Sequence, residues 1–408
     1  MDYSTIYRCR VCESKDLVER FSLGEHRLSA FLKPDDPPAP IVPLTFVWCR
    51  GCKCLQQRHT ARPEVLHRAG YWYRSSTTQA MQDALRDVSV AAAQKVDLRG
   101  GGAVLDLGSN DGTLLRCFGK HLVRVGVEPR ANLHDEGCKG ISLLIPHAWG
   151  TTEALSAAKL ALNGTKAKVI TALGMFYSVD NPDTFIRDCA GVLHDDGVLI
   201  LQLMTLPDTL AAEDYGNLCH EHLVFYSLTC LERLLHRHGL WVFDQETNSV
   251  NGMSTRIYAG HCKSMGKNGR VGRLFEEDVA ALEDGVSRFK RRTTDNVTAL
   301  RETLYKEARE DRAVYVLGAS TKGNTILQAV GVTRNWVKGA ADRDPRKHGL
   351  VTSAGQIPIV SEEEAIQHAD TFLVLPYAFR EEIVARLKGQ GWSGRLIFPM
   401  PKVEVVHV

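Results

Sequence analysis

Short apolar blocks, separated by glycine-containing turns and by segments with helical spacing, dominate the middle of the chain. Such blocks open the segments 104–115 and 168–179, precede Glu128 and form residues 198–204, and they are typical of buried strands. Strands that are apolar throughout and that alternate with helices favour a doubly wound parallel sheet with helices on both faces. The sequence therefore predicts a central α/β domain.

The pattern also predicts individual elements around the last two of these strands. Residues 168–179 are expected to form strand four and the turn beyond it, and 181–191 a helix that begins at Asn-Pro. A turn at 194–197 should precede strand five at 198–204. Residues 249–260 indicate a hairpin that turns on Asn251-Gly252.

A second strand–glycine-turn–helix pattern occurs at 313–330 and predicts a C-terminal Rossmann-like domain. Gly318 and Gly323 open the backbone, and Lys322 stands at a helix N-terminus, a favourable place for phosphate. Asp342 ends the next strand, and three short strands follow at 356–360, 371–376 and 394–401. Because G-x-G-x-x-G is absent, NAD binding is not expected.

Between the two α/β patterns, residues 265–272 are expected to be a linker. Residues 275–308 have the spacing of one or two amphipathic helices, whose solvated face would carry the basic run near Arg288.

The length of 408 residues allows two or three domains, which we place at 1–65, 66–262 and 263–408. A net charge of +2 favours neither a nucleic-acid binder nor a membrane-surface protein. The sequence has neither an apolar run that could span a bilayer nor a signal-peptide pattern at its start. We expect a cytoplasmic protein that is a monomer or a weak homo-oligomer.

Four of the eleven cysteines form two C-x-x-C pairs, Cys9 with Cys12 and Cys49 with Cys52. Two such pairs can complete a tetrahedral thiolate site without an open position, which predicts structural Zn²⁺. Cys54 is close enough to replace Cys52, so that ligand is open. The alternative is two redox-active or free-thiol pairs.

Residues 104–115, VLDLGSNDGTLL, combine a buried strand, a glycine turn and a helix start. Asp106 ends the strand, Gly108 and Gly112 allow close approach of a ligand, and Glu128 ends the next strand, where a carboxylate can accept from both ribose hydroxyls. The alternative is an ordinary strand-to-helix turn with two solvated acids.

This arrangement resembles motifs I and II of the class I S-adenosylmethionine (SAM) methyltransferases. The resemblance implies that SAM is the cofactor. Its expected contacts are Asp106, Gly108, Asn110, Asp111, Gly112, Glu128, Leu173, Gly174 and Met175.

Residues 70–81 place Tyr71 and Tyr73 beside serines and threonines. They predict either a helix entry with aromatic core anchors or a lid over the sulfonium and the substrate.

The chemistry is expected in residues 216–227, GNLCHEHLVFYS. The segment is not the zincin H-E-x-x-H, because Val224 takes the place of the second histidine. If it is extended, His220 and His222 point one way and Glu221 the other. A metal site at the two histidines and a plain polar turn before a helix at 228–238 are the alternatives.

In this order, the cysteine pairs, the tyrosine-rich segment, LGSNDG, HEHLVFYS, NGMSTR and GASTKGNT resemble the nucleotide-sugar C-methyltransferases, and among them the 3-C-methyltransferases of deoxysugar biosynthesis. The resemblance covers nearly the whole chain. It implies zinc-binding, SAM and C-terminal domains and a nucleotide-linked 4-keto-6-deoxysugar substrate. His222 corresponds to the proposed general base and Glu221 to its assistant.

The chain departs from the family pattern at two places. Cys219 stands where a tyrosine is usual, and Gly174 and Ser178 stand where an asparagine and a histidine are usual. Tyr73 and Tyr226 are the candidates for the missing phenol. The acceptor, or the atom that is methylated, can therefore differ from the usual one.

Further residues are candidates for substrate binding. The alternatives for Arg256 are a diphosphate clamp and a solvated charge on a strand. The alternatives for the C-terminal domain are a diphosphate-binding site and a structural lid. The candidates are Tyr71, Cys219, His220, Asn251, Arg256, Lys322, Asn324 and Tyr377.

Three other functions stay open on the sequence. One is an O- or N-methyltransferase acting on a sugar or another ketone-bearing acceptor. The second is a zinc- and nucleotide-binding protein without catalysis, and the third is a nicotinamide-dependent oxidoreductase or epimerase.

Overall fold

The computed structural model describes residues 2–66, 72–261 and 269–408, apart from the side chains of 251 and 269–280. Tyr71, Cys262 and residues 265–268 of the predicted linker lie outside this part of the chain.

The N-terminal region is an antiparallel β structure. Its elements are β1 (Tyr3–Thr5), β2 (Leu17–Arg27), β3 (Phe31–Leu32), β4 (Ile41–Cys49), β5 (Leu55–Gln57), β6 (His59–Ala61) and the short helix α1 (Pro63–Leu66). Strands β2, β4 and β5 pair in that order, and β1 pairs with β6. The two C-x-x-C segments flank this sheet, one before β2 and the other between β4 and β5.

The central region contains a seven-stranded sheet in the order β13-β14-β11-β10-β7-β8-β9. The strands of this region are β7 (Ala103–Leu107), β8 (Val123–Val127), β9 (Leu143–Ile145), β10 (Ala167–Leu173), β11 (Leu193–Leu203), β12 (Val224–Phe225), β13 (Trp241–Asn248) and β14 (Ser254–Gly260). The helices are α2 (Gln79–Lys95), α3 (Thr113–Cys117), α4 (His134–Gly137), α5 (Thr152–Leu162), α6 (Pro182–Val192), α7 (Leu206–Ala212) and α8 (Leu228–Arg237).

The predicted doubly wound sheet is confirmed, with two differences. Strand β14 is antiparallel to both of its neighbours, so the sheet is mixed. The predicted turn at 194–197 is a bulge within β11, because the partner of Ala167 is Leu193 and the partner of Val169 is already Val198. The hairpin turn at Val250–Gly252 lies between β13 and β14, as predicted.

The C-terminal region begins with one long helix, α9 (Gly269–Arg309), where one or two were predicted, and this helix includes residues 269–272 of the predicted linker. The elements that follow are β15 (Val314–Leu317), α10 (Thr321–Val330), β16 (Gly339–Ala341), β17 (Val351–Thr352), β18 (Ile359–Val360), α11 (Glu362–His368), β19 (Thr371–Val374), α12 (Arg380–Gly389), β20 (Arg395–Phe398) and β21 (Glu404–His407). Its sheet has the order β18-β16-β15-β19-β20-β21, and only β21 is antiparallel.

Two strand pairs cross the domain boundaries predicted from the sequence. Strand β12 of the central region pairs with β5 and extends the N-terminal sheet. Strand β17 of the C-terminal region pairs with β3. The N-terminal region is thus hydrogen-bonded to both α/β regions, through its sheet to the central one and through β3 to the C-terminal one.

The hydrophobic cores are also continuous between regions. One cluster joins Cys9, Cys49 and Cys54 to Phe176 and Tyr226 of the central region. Another joins the N-terminal sheet to α9, α10 and the C-terminal sheet. Within the described residues, none of the helices combines the length and apolar character that crossing a membrane requires.

Candidate functional site

The glycine turn after β7 has a backbone shape that only glycine adopts readily. Gly108 has φ +74° and Gly112 has φ +76°. A Cβ on Gly108 would lie 3.0 Å from Cγ of Met175, and one on Gly112 would lie 2.7 Å from the Gly137 oxygen. The turn therefore leaves a side-chain-free cradle at the carboxyl ends of β7 and β10, where open α/β sheets bind ligands.

Two buried carboxyl groups border this cradle. Glu128 accepts from the Asn110 backbone N–H at 3.1 Å and the Arg130 N–H at 3.0 Å. Asp106 accepts from the Thr171 hydroxyl at 2.6 Å. Burial raises the pKa of Asp106 to about 7; the Thr171 hydrogen bond opposes the shift and the Glu128 charge adds to it. The pair of acids fits a cationic cofactor with a ribose diol.

The segment before α2 is tied to the same turn. Asn110 accepts from the Ser75 N–H at 3.0 Å and donates to the Tyr73 carbonyl, and Asp111 accepts from the Ser76 N–H at 2.9 Å. Tyr73 is 44 % exposed, so it is not a core anchor, and its backbone carbonyl is bonded to the glycine turn.

The HEH segment is a turn and not extended, so the condition under which both histidines would point the same way is not met. The His222 N–H donates to the Cys219 carbonyl at 3.0 Å, which closes the turn. His220 is buried, and its Nε2 lies 2.9 Å from the Val42 carbonyl of β4. Burial lowers the pKa of His220 to about 4. This histidine anchors the turn to the N-terminal sheet, and the geometry gives it no place at the cleft or in a metal site with His222.

His222 has a defined tautomer. Its Nδ1 lies 2.9 Å from the Asn217 carbonyl, which can only accept, so Nδ1 carries the proton and Nε2 holds a lone pair. Its ring packs 4.0 Å, centroid to centroid, from the ring of Tyr177 in the turn after β10. The Tyr177 hydroxyl lies 3.7 Å from the position that a Cβ on Gly174 would take. His222 is thus linked to the glycine cradle through Tyr177, Gly174 and Met175.

Burial and a neighbouring positive charge favour the neutral form of His222. Burial, and then the nearby ammonium of Lys322, lower the pKa of His222 to about 3. Lys322 comes from the first turn of α10, which packs against the Tyr215–Asn217 turn through Ile326. The C-terminal region therefore contributes a cation to the site.

Glu221 and Cys219 lie beside this histidine. Burial raises the pKa of Glu221, whereas the Cys219 thiol and the Arg130 charge act to lower it. Oε2 of Glu221 is buried without a hydrogen-bond partner among the described residues. Cys219 is fully buried, and burial raises its pKa well above the usual thiol range.

Gln57 of β5 holds the turn from the N-terminal side. Its Nε2 donates to the carbonyls of Cys219, at 2.5 Å, and His222, at 2.7 Å, and its N–H donates to Leu223 at 2.9 Å. Gln57, Asn217 and Tyr177 were not among the site residues predicted from the sequence. The position of Tyr177 in the turn after strand four was a usable signal, whereas nothing local in the sequence marks Gln57.

Two predicted site residues lie elsewhere. Tyr226 is fully buried, its ring stacks on Phe176 at 5.0 Å, and its hydroxyl has no hydrogen-bond partner among the described residues. It therefore cannot replace a phenol in the cleft.

Arg256, the expected diphosphate clamp, is 2 % exposed. It donates to Gln202 and Glu246 at 2.7 Å and to Asp87 at 3.0 Å. These partners occupy all three of its nitrogens, so its role is to join β11, β13 and α2.

The remaining substrate candidates have mixed positions. Asn324 is buried and accepts from the Ala354 N–H at 3.2 Å, and its Nδ2 lacks a partner in the described chain. Tyr377 lies against Asp214, and burial together with that carboxylate raises its pKa well above the usual range. Asn251 lies in the turn between β13 and β14, and its side chain is outside the described part of the structure.

The four cysteines of the two C-x-x-C pairs come together, with all Sγ atoms within 4.8 Å of one another. Cys9 and Cys52 are 3.5 Å apart, as are Cys12 and Cys49. Zn–S bonds of about 2.3 Å in a tetrahedron place sulfurs about 3.8 Å apart, so the four thiols fit a zinc ion. Cys54, the alternative ligand, lies 3.5 Å from Cys52.

Comparison with known families places three matches along the chain in order. Residues 9–67 match a zinc-binding domain family, 73–245 a methyltransferase domain family, and 249–401 the C-methyltransferase C-terminal domain family. C-methyltransferase NovU of Streptomyces niveus is 28 % identical, over 98 % of this chain and 97 % of that protein.

Solved methyltransferases resemble less than half of the chain. The CcbJ methyltransferase of Streptomyces caelestis covers 44 % of this chain and 90 % of its own, with 10 % identity and a TM-score of 0.34. An S-adenosylmethionine-dependent methyltransferase of Clostridium acetobutylicum covers 45 % and 93 %, with 12 % identity and a TM-score of 0.34. Scores at this level support no argument.

The three family matches follow the three regions of the fold in order. The alignment with the C-methyltransferase relative covers nearly all of both chains. The glycine cradle with its two acids lies within the methyltransferase match, and the thiol tetrad lies within the zinc-binding match. The chain is thus a SAM-dependent methyltransferase, and over 98 % of its length it is similar to a C-methyltransferase.

Proposed function

We propose that the enzyme methylates a carbon next to the ketone of a nucleotide-linked 4-keto-6-deoxysugar, with His222 as the general base. The observation that carries this proposal is the fixed tautomer of His222. Its Nδ1 is committed to the Asn217 carbonyl at 2.9 Å, and its ring contacts Tyr177 at the edge of the glycine cradle. A carbon nucleophile requires such a base, whereas transfer to an amine does not.

The proton transfer uses the free lone pair of Nε2. The C–H bond next to the ketone breaks, its proton goes to Nε2, and the electron pair spreads onto the carbonyl oxygen as an enolate. SAM, when bound, supplies an electrophilic methyl group to this carbon. The low pKa of His222 keeps it unprotonated at neutral pH, and the negative charge that forms on the substrate favours the imidazolium at the moment it is needed.

The enolate oxygen needs a donor, and Tyr177 is the best placed phenol. Its ring lies against His222, and its hydroxyl lies above Gly174. A side chain at 174 would compete for that space, so the glycine and the tyrosine of this turn act together. Such a donor is worth roughly 10²–10³ in rate when it is aimed at a developing oxyanion.

Lys322 supports the nucleotide end of the same substrate. An ammonium in the first turn of a ten-residue helix favours a phosphate group. Because Lys322 also lies close enough to His222 to lower its pKa, its diphosphate would sit beside the reacting sugar. We assign this role to Lys322 and not to Arg256, whose donors are already used.

Glu221 is proposed to assist the base. It is adjacent to His222 in the turn, and its buried Oε2 is an acceptor without a partner among the described residues. The Arg130 charge, which acts on it, belongs to the same loop as Glu128. Glu221 can therefore fix the position of the sugar relative to the cofactor.

The product distinguishes this function from transfer to oxygen or nitrogen. The enzyme is incubated with a dTDP-4-keto-6-deoxyhexose and SAM carrying a ¹³C-labelled methyl group, and the product is examined by NMR. We expect a methyl resonance coupled to ring carbon. A methyl group on a heteroatom would overturn the proposed C-methylation of this acceptor. If the enzyme transfers no methyl group to any nucleotide-linked ketosugar, the proposed substrate class is wrong.

A further inference from the structure

A second group of cysteines adjoins the thiol tetrad. The Sγ atoms of Cys52, Cys54 and Cys230 lie within 4.8 Å of one another, and all three residues are buried. Cys54 follows the second C-x-x-C pair, while Cys230 comes from α8 of the methyltransferase domain. Cys52 belongs to both groups.

The six sulfurs have an ordered arrangement. Cys9 and Cys52, 3.5 Å apart, lie between two other pairs. Cys12 and Cys49 are on one side, 3.5 Å apart. On the other side Cys54 is 3.5 Å from Cys52 and 3.9 Å from Cys9, and Cys230 completes the triangle with Cys52 and Cys54. The tetrad and the triangle share Cys52, and Cys9 of the tetrad lies next to two corners of the triangle, Cys52 and Cys54.

Two divalent ions with six thiolates carry a net charge of −2, and the surroundings can balance it. Helix α8 runs across both cysteine turns: Arg233 donates to the Gly51 carbonyl at 3.1 Å and Arg237 to the Val11 carbonyl at 2.9 Å. Cys230 is in the first turn of α8, where the helix dipole favours a thiolate.

Polar groups of the protein also face these sulfurs. Nε2 of Gln56 donates to Cys9 at 3.1 Å and to Cys54 at 3.2 Å. The hydroxyl of Tyr226 is buried without a hydrogen-bond partner among the described residues, and Tyr226 belongs to the same buried cluster as Cys54 and Cys230. Donors directed at sulfur are the outer contacts that thiolate metal sites use.

We propose that the six cysteines hold two zinc ions, with Cys9 and Cys52 as bridging ligands. Cys12 and Cys49 complete the first ion, and Cys54 and Cys230 complete the second. The second ion then joins the zinc-binding domain covalently to the methyltransferase domain through α8. This inference goes beyond the proposed reaction and does not depend on it.

The first test is the zinc content of the full-length protein. After saturation with Zn²⁺ and removal of excess ion, native mass spectrometry and elemental analysis should give two zinc ions per chain. Cys230→Ser and Cys54→Ser should each give one, and Cys189→Ser, at a buried cysteine outside both groups, should give two. One zinc ion in the unaltered protein, or two in Cys230→Ser, would overturn the proposal.

The second test needs no variant and examines the bridge itself. The zinc is replaced by Co²⁺, and the electron paramagnetic resonance signal per cobalt is followed as the second equivalent binds. Two ions that share thiolates are magnetically coupled, so the signal should fall severalfold after the first equivalent. A signal that grows in proportion to bound cobalt up to two equivalents would show that the ions share no ligand.

Discussion

Asp106 is held in an environment that opposes its charge until a cationic ligand arrives. It is 4 % exposed and close to Glu128, so its pKa is raised to about 7. A ligand with an ammonium group near Asp106 prefers the ionised carboxylate, so binding should release a proton below this pKa.

We therefore expect the affinity for S-adenosylhomocysteine to increase about tenfold between pH 6 and pH 8, because the ionised fraction of Asp106 rises through its pKa of about 7 in this range. Titration calorimetry measures the dissociation constant. Asp106→Asn should bind more weakly with little pH dependence. An unaltered protein whose affinity is flat over this range would contradict the role of Asp106.

His220 makes a separate prediction about stability. Burial lowers its pKa from 6.5 to about 4, so the unfolded state binds more protons between these values. Stability from this group is present above pH 6.5 and is lost as the pH falls toward 4, at about 1.4 kcal/mol per pH unit.

The variant His220→Gln should therefore show a shallower acid dependence of the unfolding free energy, measured by urea denaturation at pH 4.5–6.5. The variant His147→Gln, at an exposed position, should keep the full dependence. An equal slope in both variants would show that His220 is not buried in its neutral form.

At the scale of elements, the HEH turn is held between two sheets. Its following residues form β12, which pairs with β5, and Leu223 donates to the Tyr177 carbonyl at 2.8 Å. Gln57 closes the arrangement with bonds of 2.5 and 2.7 Å to carbonyls of the turn. The position of His222 thus depends on a strand far away in sequence.

We expect Gln57→Leu to lower kcat at least tenfold, because two carbonyls of the turn lose their donor and each such loss costs about 1–3 kcal/mol. Binding of S-adenosylhomocysteine should change little, since the glycine cradle is untouched. Gln390→Leu, at an exposed position, serves as control. Loss of cofactor binding together with kcat would indicate general unfolding and not displacement of the base.

The difference between local patterns and contacts distant in sequence explains which features the sequence could predict. The β7 turn, Glu128 and the cysteine pairs are local patterns, each with its own physical signature, and the structure brings their members together. The pairing of β12 with β5, the partners of Arg256 and the inward direction of Tyr226 depend on contacts between residues far apart in sequence. Periodicity within one segment carries no information about such contacts.

In the molecule as a whole, the zinc-binding domain is hydrogen-bonded to the turn that carries His222. Its β4–β5 hairpin carries Cys49, Cys52 and Cys54 at one end and Gln57 at the other. Loss of metal should therefore loosen the hairpin and, through it, the turn that carries His222.

We expect chelation of zinc to increase hydrogen exchange of backbone amides in residues 219–226, while β7 in the centre of the large sheet stays protected. The intact chain is labelled with a deuterium pulse and then digested, and mass spectrometry of the peptides measures exchange in both regions. Unchanged exchange at 219–226 in the metal-free protein would contradict this coupling.

The central claim is that Nε2 of His222 removes the proton next to the ketone. Its most direct test is deuterium wash-in at that carbon, in D₂O with S-adenosylhomocysteine and a dTDP-4-keto-6-deoxyhexose, so that no methyl transfer competes. We predict exchange with the unaltered protein and a loss of roughly 10²–10⁴-fold with His222→Asn, while the variant still binds S-adenosylhomocysteine. Exchange at the unaltered rate in His222→Asn would contradict the account.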